Sequence, residues 1–123
     1  CPEAARYGSL QVSPSTVAAG DSVNIYTNLT CPLSPQYEIV PKYLDYYIEV
    51  LTNNNGHELP ILLARREFDT SLTFDNFTTT IPDGNYFAGA AYSVYVDITY
   101  PVNGTTGAPY YQVAGTYGSI NIT

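Results

Sequence analysis

Residues 86–100 read YFAGAAYSVYVDITY, and one parity of that stretch is apolar or aromatic throughout: Tyr86, Ala88, Ala90, Tyr92, Val94, Val96, Ile98 and Tyr100. Alternation with a period of two marks a strand that turns one face to a core and the other to water. The pattern recurs elsewhere in the chain. Val23, Ile25, Thr27 and Leu29 alternate with Ser22, Asn24, Tyr26 and Asn28, and Leu44, Tyr46, Ile48 and Val50 alternate with Asp45, Tyr47 and Glu49. Leu10 and Val12 predict a first strand, and Leu59 to Phe68 a partner for the strand around Tyr46. A further strand is expected around Leu72 and Phe74, continuing through Thr78 to Ile81. The last runs from Tyr110 to Ile122, with Gly115 and Gly118 as bulges and Ile120 and Ile122 facing inward.

Turn chemistry separates these runs. Ser13 to Asp21 reads as a turn-rich stretch, and the three prolines between Cys31 and Pro41 demand an irregular crossover. Asn53-Asn54-Asn55-Gly56 is a hairpin signal, because Asn and Gly tolerate positive φ. Pro82-Asp83-Gly84-Asn85 is a tight turn. Seven to eight short strands so spaced predict an all-β, two-sheet Greek-key sandwich, a single domain over residues 1–123.

Composition narrows the function classes. With 123 residues the chain fits one domain. Only 12% of residues are charged, too few for a coiled coil or a helical bundle, while 45% apolar content argues against disorder. A net charge of −7 repels a phosphate backbone, so nucleic acid is not an expected partner. The longest apolar runs, Leu59 to Ala64 and Tyr86 to Val96, fall short of a membrane span. A chain beginning at Cys1 and free of Met is expected to have lost a leader. The two cysteines, Cys1 and Cys31, predict one bridge worth about 3 kcal/mol in the chain-entropy model. Four N-x-Thr sequons, at Asn28, Asn76, Asn103 and Asn121, predict a secreted glycoprotein. Asn28 and Asn121 both fall on the polar parity of their strands, where a glycan would project into water.

Catalytic chemistry is sparse. The one histidine, His57, sits in a turn with no Gly-x-Ser-x-Gly elbow, so no catalytic residue is assigned. One His and two cysteines expected to be bridged cannot supply four zinc ligands. Asp45 and Glu49, four apart on one strand, are about 13 Å apart along it, too far for a glycosidase pair. Asp69, Asp75 and Asp83 could gather at one end of a sandwich around Ca²⁺, but no EF-hand spacing accompanies them, and turn formation and solvation are the expected roles. Arg65 and Arg66 are expected to pair with Glu67 or neighbouring acids. No metal and no cofactor is expected.

The 13 tyrosines are the distinctive feature. Tyr46, Tyr86, Tyr92 and Tyr100 lie on core parity, where each hydroxyl needs a partner near the sheet edge. Tyr26, Tyr43, Tyr47 and Tyr95 lie on solvent parity and are the candidate binding residues. Exposed tyrosine gives broad amphipathic contact at low entropic cost, suited to a protein partner or to the apolar face of a sugar. Cross-strand pairing that only stabilises the sheet is the competing role.

Val12 to Val17 and Ala19 to Val23 resemble the first two strands of immunoglobulin-like and fibronectin-III-like extracellular modules. Ile81-Pro82-Asp83-Gly84-Asn85-Tyr86 is similar to the turn entering their penultimate strand, where a Tyr often forms a corner. The Cys…Trp…Cys signature of antibody domains is absent. Ser15-Thr16-Val17, Gly20-Asp21-Ser22 and Thr80-Ile81-Pro82 also resemble fungal necrosis-inducing secreted effectors. These resemblances imply an immunoglobulin-like sandwich and a secreted protein that binds host proteins without catalysis, with the strands of Tyr47 and Tyr95 adjacent. The expected function is therefore non-enzymatic recognition of a protein partner through a Tyr-rich sheet face. A module binding cell-surface or cell-wall carbohydrate, or a structural subunit assembling through sheet edges, are the alternatives; the oligomeric state is open.

Overall fold

A computed structural model describes residues 1–52 and 58–123. The hairpin signal at Asn53–Gly56 and His57 lie outside the described residues. The described residues are all-β apart from a short 3-10 turn at Glu3–Ala5. Its strands are β1 (Ser9–Ser13), β2 (Thr16–Val17), β3 (Ser22–Asn28), β4 (Tyr43–Val50), β5 (Ile61–Glu67), β6 (Phe74–Thr80), β7 (Tyr92–Asn103), β8 (Pro109–Ser119) and β9 (Asn121–Ile122). They form a three-stranded sheet, β1-β3-β6, a four-stranded sheet, β5-β4-β7-β8, and a small parallel pair, β2-β9. This arrangement is consistent with a β-sandwich. No helix among the described residues is long and apolar enough to cross a membrane.

Alternation sets the core as the sequence predicts. Val23, Ile25 and Thr27 of β3, Leu44, Tyr46 and Ile48 of β4, and Val94, Val96 and Ile98 of β7 are all buried. Proline places the crossover where expected: 31–41 carries only turns, with Ile39 N–H bonded to the Pro32 carbonyl at 2.8 Å. Cys1 and Cys31 form the expected disulfide, with Cα atoms 5.7 Å apart.

Several expectations need correction. The long alternating run is not one strand: Gly89 at φ +79° turns the chain, and β7 starts only at Tyr92. The strand expected around Leu72 begins at Phe74, because Asp69 holds a turn by accepting from the Ser71 N–H. Thr16–Val17, within the turn-rich stretch, forms a short strand that pairs in parallel with Asn121–Ile122 after a cis Ser13–Pro14 bond. Gly115 and Gly118 are not bulges, since the β7–β8 register runs unbroken from Ser93↔Ser119 to Asn103↔Pro109. They are sites of close approach: a Cβ at Gly118 would lie 2.5 Å from the Leu10 carbonyl oxygen of β1.

The largest departure lies between the sheets. The Tyr46 hydroxyl is not at an edge but at the centre of the core, 2.7 Å from Thr27 Oγ1 and donating to Asp75 Oδ2 at 2.9 Å. Asp75 faces inward from β6 opposite Thr27, and Arg66 Nε donates to both its oxygens at 2.8 and 3.0 Å. Arg65 and Arg66 thus pair with Asp45 and Asp75 rather than Glu67, because consecutive strand residues point to opposite faces. Asp75 is therefore committed to the core and does not join Asp69 and Asp83; among the described residues no group of three or more His, Cys, Asp or Glu could hold a metal ion. Burial raises the Tyr46 phenol well above its ordinary pKa, while the Thr27 hydrogen bond acts against the shift. Removing one member of a buried, charge-assisted group strands the others. Asp75→Ala is expected to lower the unfolding free energy by about 3 kcal/mol and Tyr46→Phe by about 1–2 kcal/mol in urea denaturation. An Asp75→Ala midpoint equal to wild type would show that the two sheets do not depend on this bridge.

Candidate functional site

The outward parity of β4, β7 and β8 builds one surface. Register alignment places Tyr43 beside Thr99 and Val113, and Asp45 beside Asp97 and Gly115. The next row is Tyr47, Tyr95 and Tyr117, followed by Glu49, Ser93 and Ser119. From β5, Arg65 extends the Asp45 row and Leu62 extends the Tyr47 row. The result is a band, Leu62–Tyr47–Tyr95–Tyr117, that crosses all four strands.

Exposure across the band is uneven in a useful way. Leu62 and Tyr117 are 58% and 56% exposed, while Tyr47 and Tyr95 are half-buried beneath their neighbours. Tyr95 and Tyr117 stack with planes 7° apart and centroids 6.4 Å apart. Gly115 explains how Tyr95 lies down: any Cβ there would collide with the Tyr95 ring and hydroxyl. The glycine in β8 thus provides the seat for a ring from β7.

The structure sorts the candidate residues. Tyr47 and Tyr95 lie on adjacent strands, the adjacency that the resemblance implies, and are direct cross-strand partners there. Tyr43 shares their face but is engaged by cations, with Arg65 5.0 Å and Lys42 5.6 Å from its ring. Tyr26 does not belong to this surface: it lies on the outer face of the other sheet, stacked on Phe74 at 5.7 Å. Strand parity alone could not separate the two outer faces. Tyr117 and Leu62 were missed because they are legible as part of the band only once register is known. Of the sequon residues, Asn76, Asn103 and Asn121 are exposed; Asn28 is half-buried on the central strand of its sheet and accepts from the Thr30 N–H at 3.0 Å.

Carboxylates run beside the aromatic band. Asp45 lies on solvent parity yet is only 6% exposed, because Arg65 folds over it, donating from Nε to Oδ1 at 2.7 Å and from the guanidinium terminus to Oδ2 at 3.2 Å. Asp97 sits directly across from Asp45, and like charges so placed are unfavourable. Among the described residues neither Asp97 nor Glu49 forms an ion pair. Desolvation, with the Asp45 charge second, holds the Asp97 carboxyl above its ordinary range; desolvation and then Asp97 do the same to Glu49. Desolvation also raises the phenols of Tyr47, reinforced by Asp45 and Asp97, and of Tyr95, reinforced by Asp97 and Glu49. Beyond the last row, a groove of about 490 Å³ is lined by Leu51, Thr52, Tyr92, Ser93, Tyr117 and Ser119 among others, offering hydroxyls and apolar walls.

No protein-family profile matches the chain, and no curated protein matches it in sequence. The face presents amphipathic rings, one bidentate ion pair and two carboxylates that have no ionic partner among the described residues.

Folding tightens the hold of Asp97 and Glu49 on a proton, so the folded state takes up protons relative to the unfolded one. Their contribution to stability thus grows as pH falls from neutral into the window just above their ordinary values of 3.8 and 4.5, and levels off below it. Thermal unfolding at about pH 7 and about pH 5 is expected to show a smaller gain on acidification in the Asp97→Asn, Glu49→Gln variant than in wild type. An identical gain in both would contradict this placement of the two carboxyls.

Proposed function

We propose that this chain is a secreted, N-glycosylated, non-enzymatic recognition domain that binds a protein partner through the outer face of β5-β4-β7-β8. The fold is read as an immunoglobulin-like Greek-key sandwich. Supporting that reading are the order β1-β3-β6 against β5-β4-β7-β8 and the Tyr86 hydroxyl, which donates to the Pro82 carbonyl at 2.8 Å in the manner of a corner tyrosine. The disulfide and the four sequons support export.

The observation that carries the functional reading is the Leu62–Tyr47–Tyr95–Tyr117 band. Seated rings such as Tyr95 lose little further freedom on binding, and tyrosine supplies both apolar area and a hydroxyl at the contact. Three adjacent tyrosines across the sheet, with an exposed leucine and valine at its margins, support a contact surface on this face. The neighbouring Asp97 and Glu49 favour a partner presenting basic side chains at the rim of the contact.

Immobilised wild-type protein and a Tyr47→Ala, Tyr95→Ala variant, matched for folding by circular dichroism, test the site by capture from extracellular fluid. Proteins retained by wild type are expected to be lost, or weakened at least tenfold in subsequent titration, with the folded variant. Equal retention by both would reject this face. Parallel exposure to a glycan array separates the carbohydrate reading: saturable glycan binding abolished by the same variant would replace the protein partner with a sugar.

A further inference from the structure

We infer that the free edge of β8 is a self-association site, at which a second copy of this chain adds its own β8 in antiparallel register around a two-fold axis. The inference stands apart from the proposed recognition role, since it uses the backbone edge of β8 rather than the sheet face.

β8 is the terminal strand of its sheet, paired on one side only, with β7. It is 11 residues long, reads PYYQVAGTYGS, and carries no Asp, Glu, Lys, Arg or His. Long, uncharged edges are what folded proteins normally avoid, because a row of open N–H and C=O groups recruits another strand. Four of its side chains are large, apolar or aromatic, and open to solvent: Tyr110 at 49%, Tyr111 at 49%, Val113 at 62% and Tyr117 at 56% exposed. Its C-terminal half is approached by β1, while on the N-terminal half Lys42 covers the outer face of Tyr111, with Nζ 3.4 Å from the hydroxyl, and leaves the backbone edge open. Leu10 of β1 packs against Gly118, and Thr116 Oγ1 reaches the Gly8 carbonyl at 3.5 Å. Pairing of β7 with β4 ends at Thr99, so Tyr100–Asn103 and Pro109–Gln112 continue past the sheet as a two-stranded arm.

Of the other edges of the two larger sheets, β1 is uncharged but only five residues long, and the remaining two carry charge or a sequon. β5 carries Arg65, Arg66 and Glu67, and β6 carries Asp75 and the Asn76 sequon. Charge selects the occupant. Two copies at −7 each repel wherever acids face each other, and β8 is the one long edge strand that brings no charge to a contact. A two-fold axis near Gln112 and Val113 makes the contact self-complementary: each copy offers the same open backbone and the same apolar side chains. Backbone pairing confined to the arm is small beside a standard interface, so a reversible dimer is expected, with dissociation on the order of 10 µM or weaker. In that dimer the two sheets run on as one, and both tyrosine bands lie on a single surface open to bivalent engagement.

Sedimentation of the full chain from about 1 µM to several hundred µM reads the equilibrium across that range. Wild type is expected to move from monomer to twice the monomer mass. Val113→Glu, an exposed outer-face substitution, brings two like charges together at the axis and is expected to remain monomeric, whereas Val113→Thr keeps the dimer. Ala19→Glu adds the same charge in a distant exposed turn, and should associate like wild type. Amide exchange at Tyr110–Ala114 should slow as wild-type concentration rises. A wild-type chain monomeric throughout, a Val113→Glu dimer of undiminished strength, or protection confined to another strand would each overturn the assignment.

Discussion

Everything in this domain is arranged around a single buried hydroxyl. Tyr46 is the largest fully buried side chain, and its phenol cannot reach water, so it must find protein partners. It finds Thr27 from one strand of the facing sheet and Asp75 from the next, and Asp75 in turn draws Arg66 from the edge of Tyr46's own sheet. Four strands are thereby joined by one polar relay inside an otherwise apolar core. Apolar burial supplies most of the driving force but is indifferent to the exact offset of the two layers. The relay is not indifferent, because sliding one layer past the other would part Tyr46 from Thr27 and Asp75 and leave a buried carboxylate without its partners.

Fixing Tyr46 inward fixes Tyr47 outward. The same rule applied to β7 and β8 sets Tyr95 and Tyr117 beside it, with Gly115 leaving room for the Tyr95 ring. The outer face is therefore a direct consequence of the core's register. Arg65 and Arg66 show the same coupling in miniature: adjacent in sequence, one closes over Asp45 on the outer face while the other completes the relay within. The outer acids Asp97 and Glu49, which have no such partner among the described residues, give the tyrosine band its electrostatic character.

Much of this was legible in the sequence. Val23, Ile25 and Thr27, and likewise Val94, Val96 and Ile98, betray their burial through period-two alternation, and Asn-to-Thr spacing and cysteine count need no coordinates. Two kinds of information were not legible. Long-range register decides which outward residues meet, so Tyr26 could not be told from Tyr47 as belonging to the opposite layer, and Tyr117 and Leu62 went unnoticed. Polar residues that serve the core were also hidden: Asp75 reads as a surface acid, because hydropathy carries no record of a partner such as Tyr46 or Arg66. At residues 86–91 the alternation itself misled, since Gly89 turns a stretch whose parity is that of a strand.

The separation of the tyrosines into an inward and an outward set can be read directly by residue-resolved chemical footprinting of the native protein with a phenol-modifying reagent. Tyr111 and Tyr117 are expected to react at once, and Tyr46 only as the whole domain unfolds. Modification of Tyr46 at a rate matching that of Tyr117 under native conditions would contradict the relay, the register it imposes and the surface that follows from it.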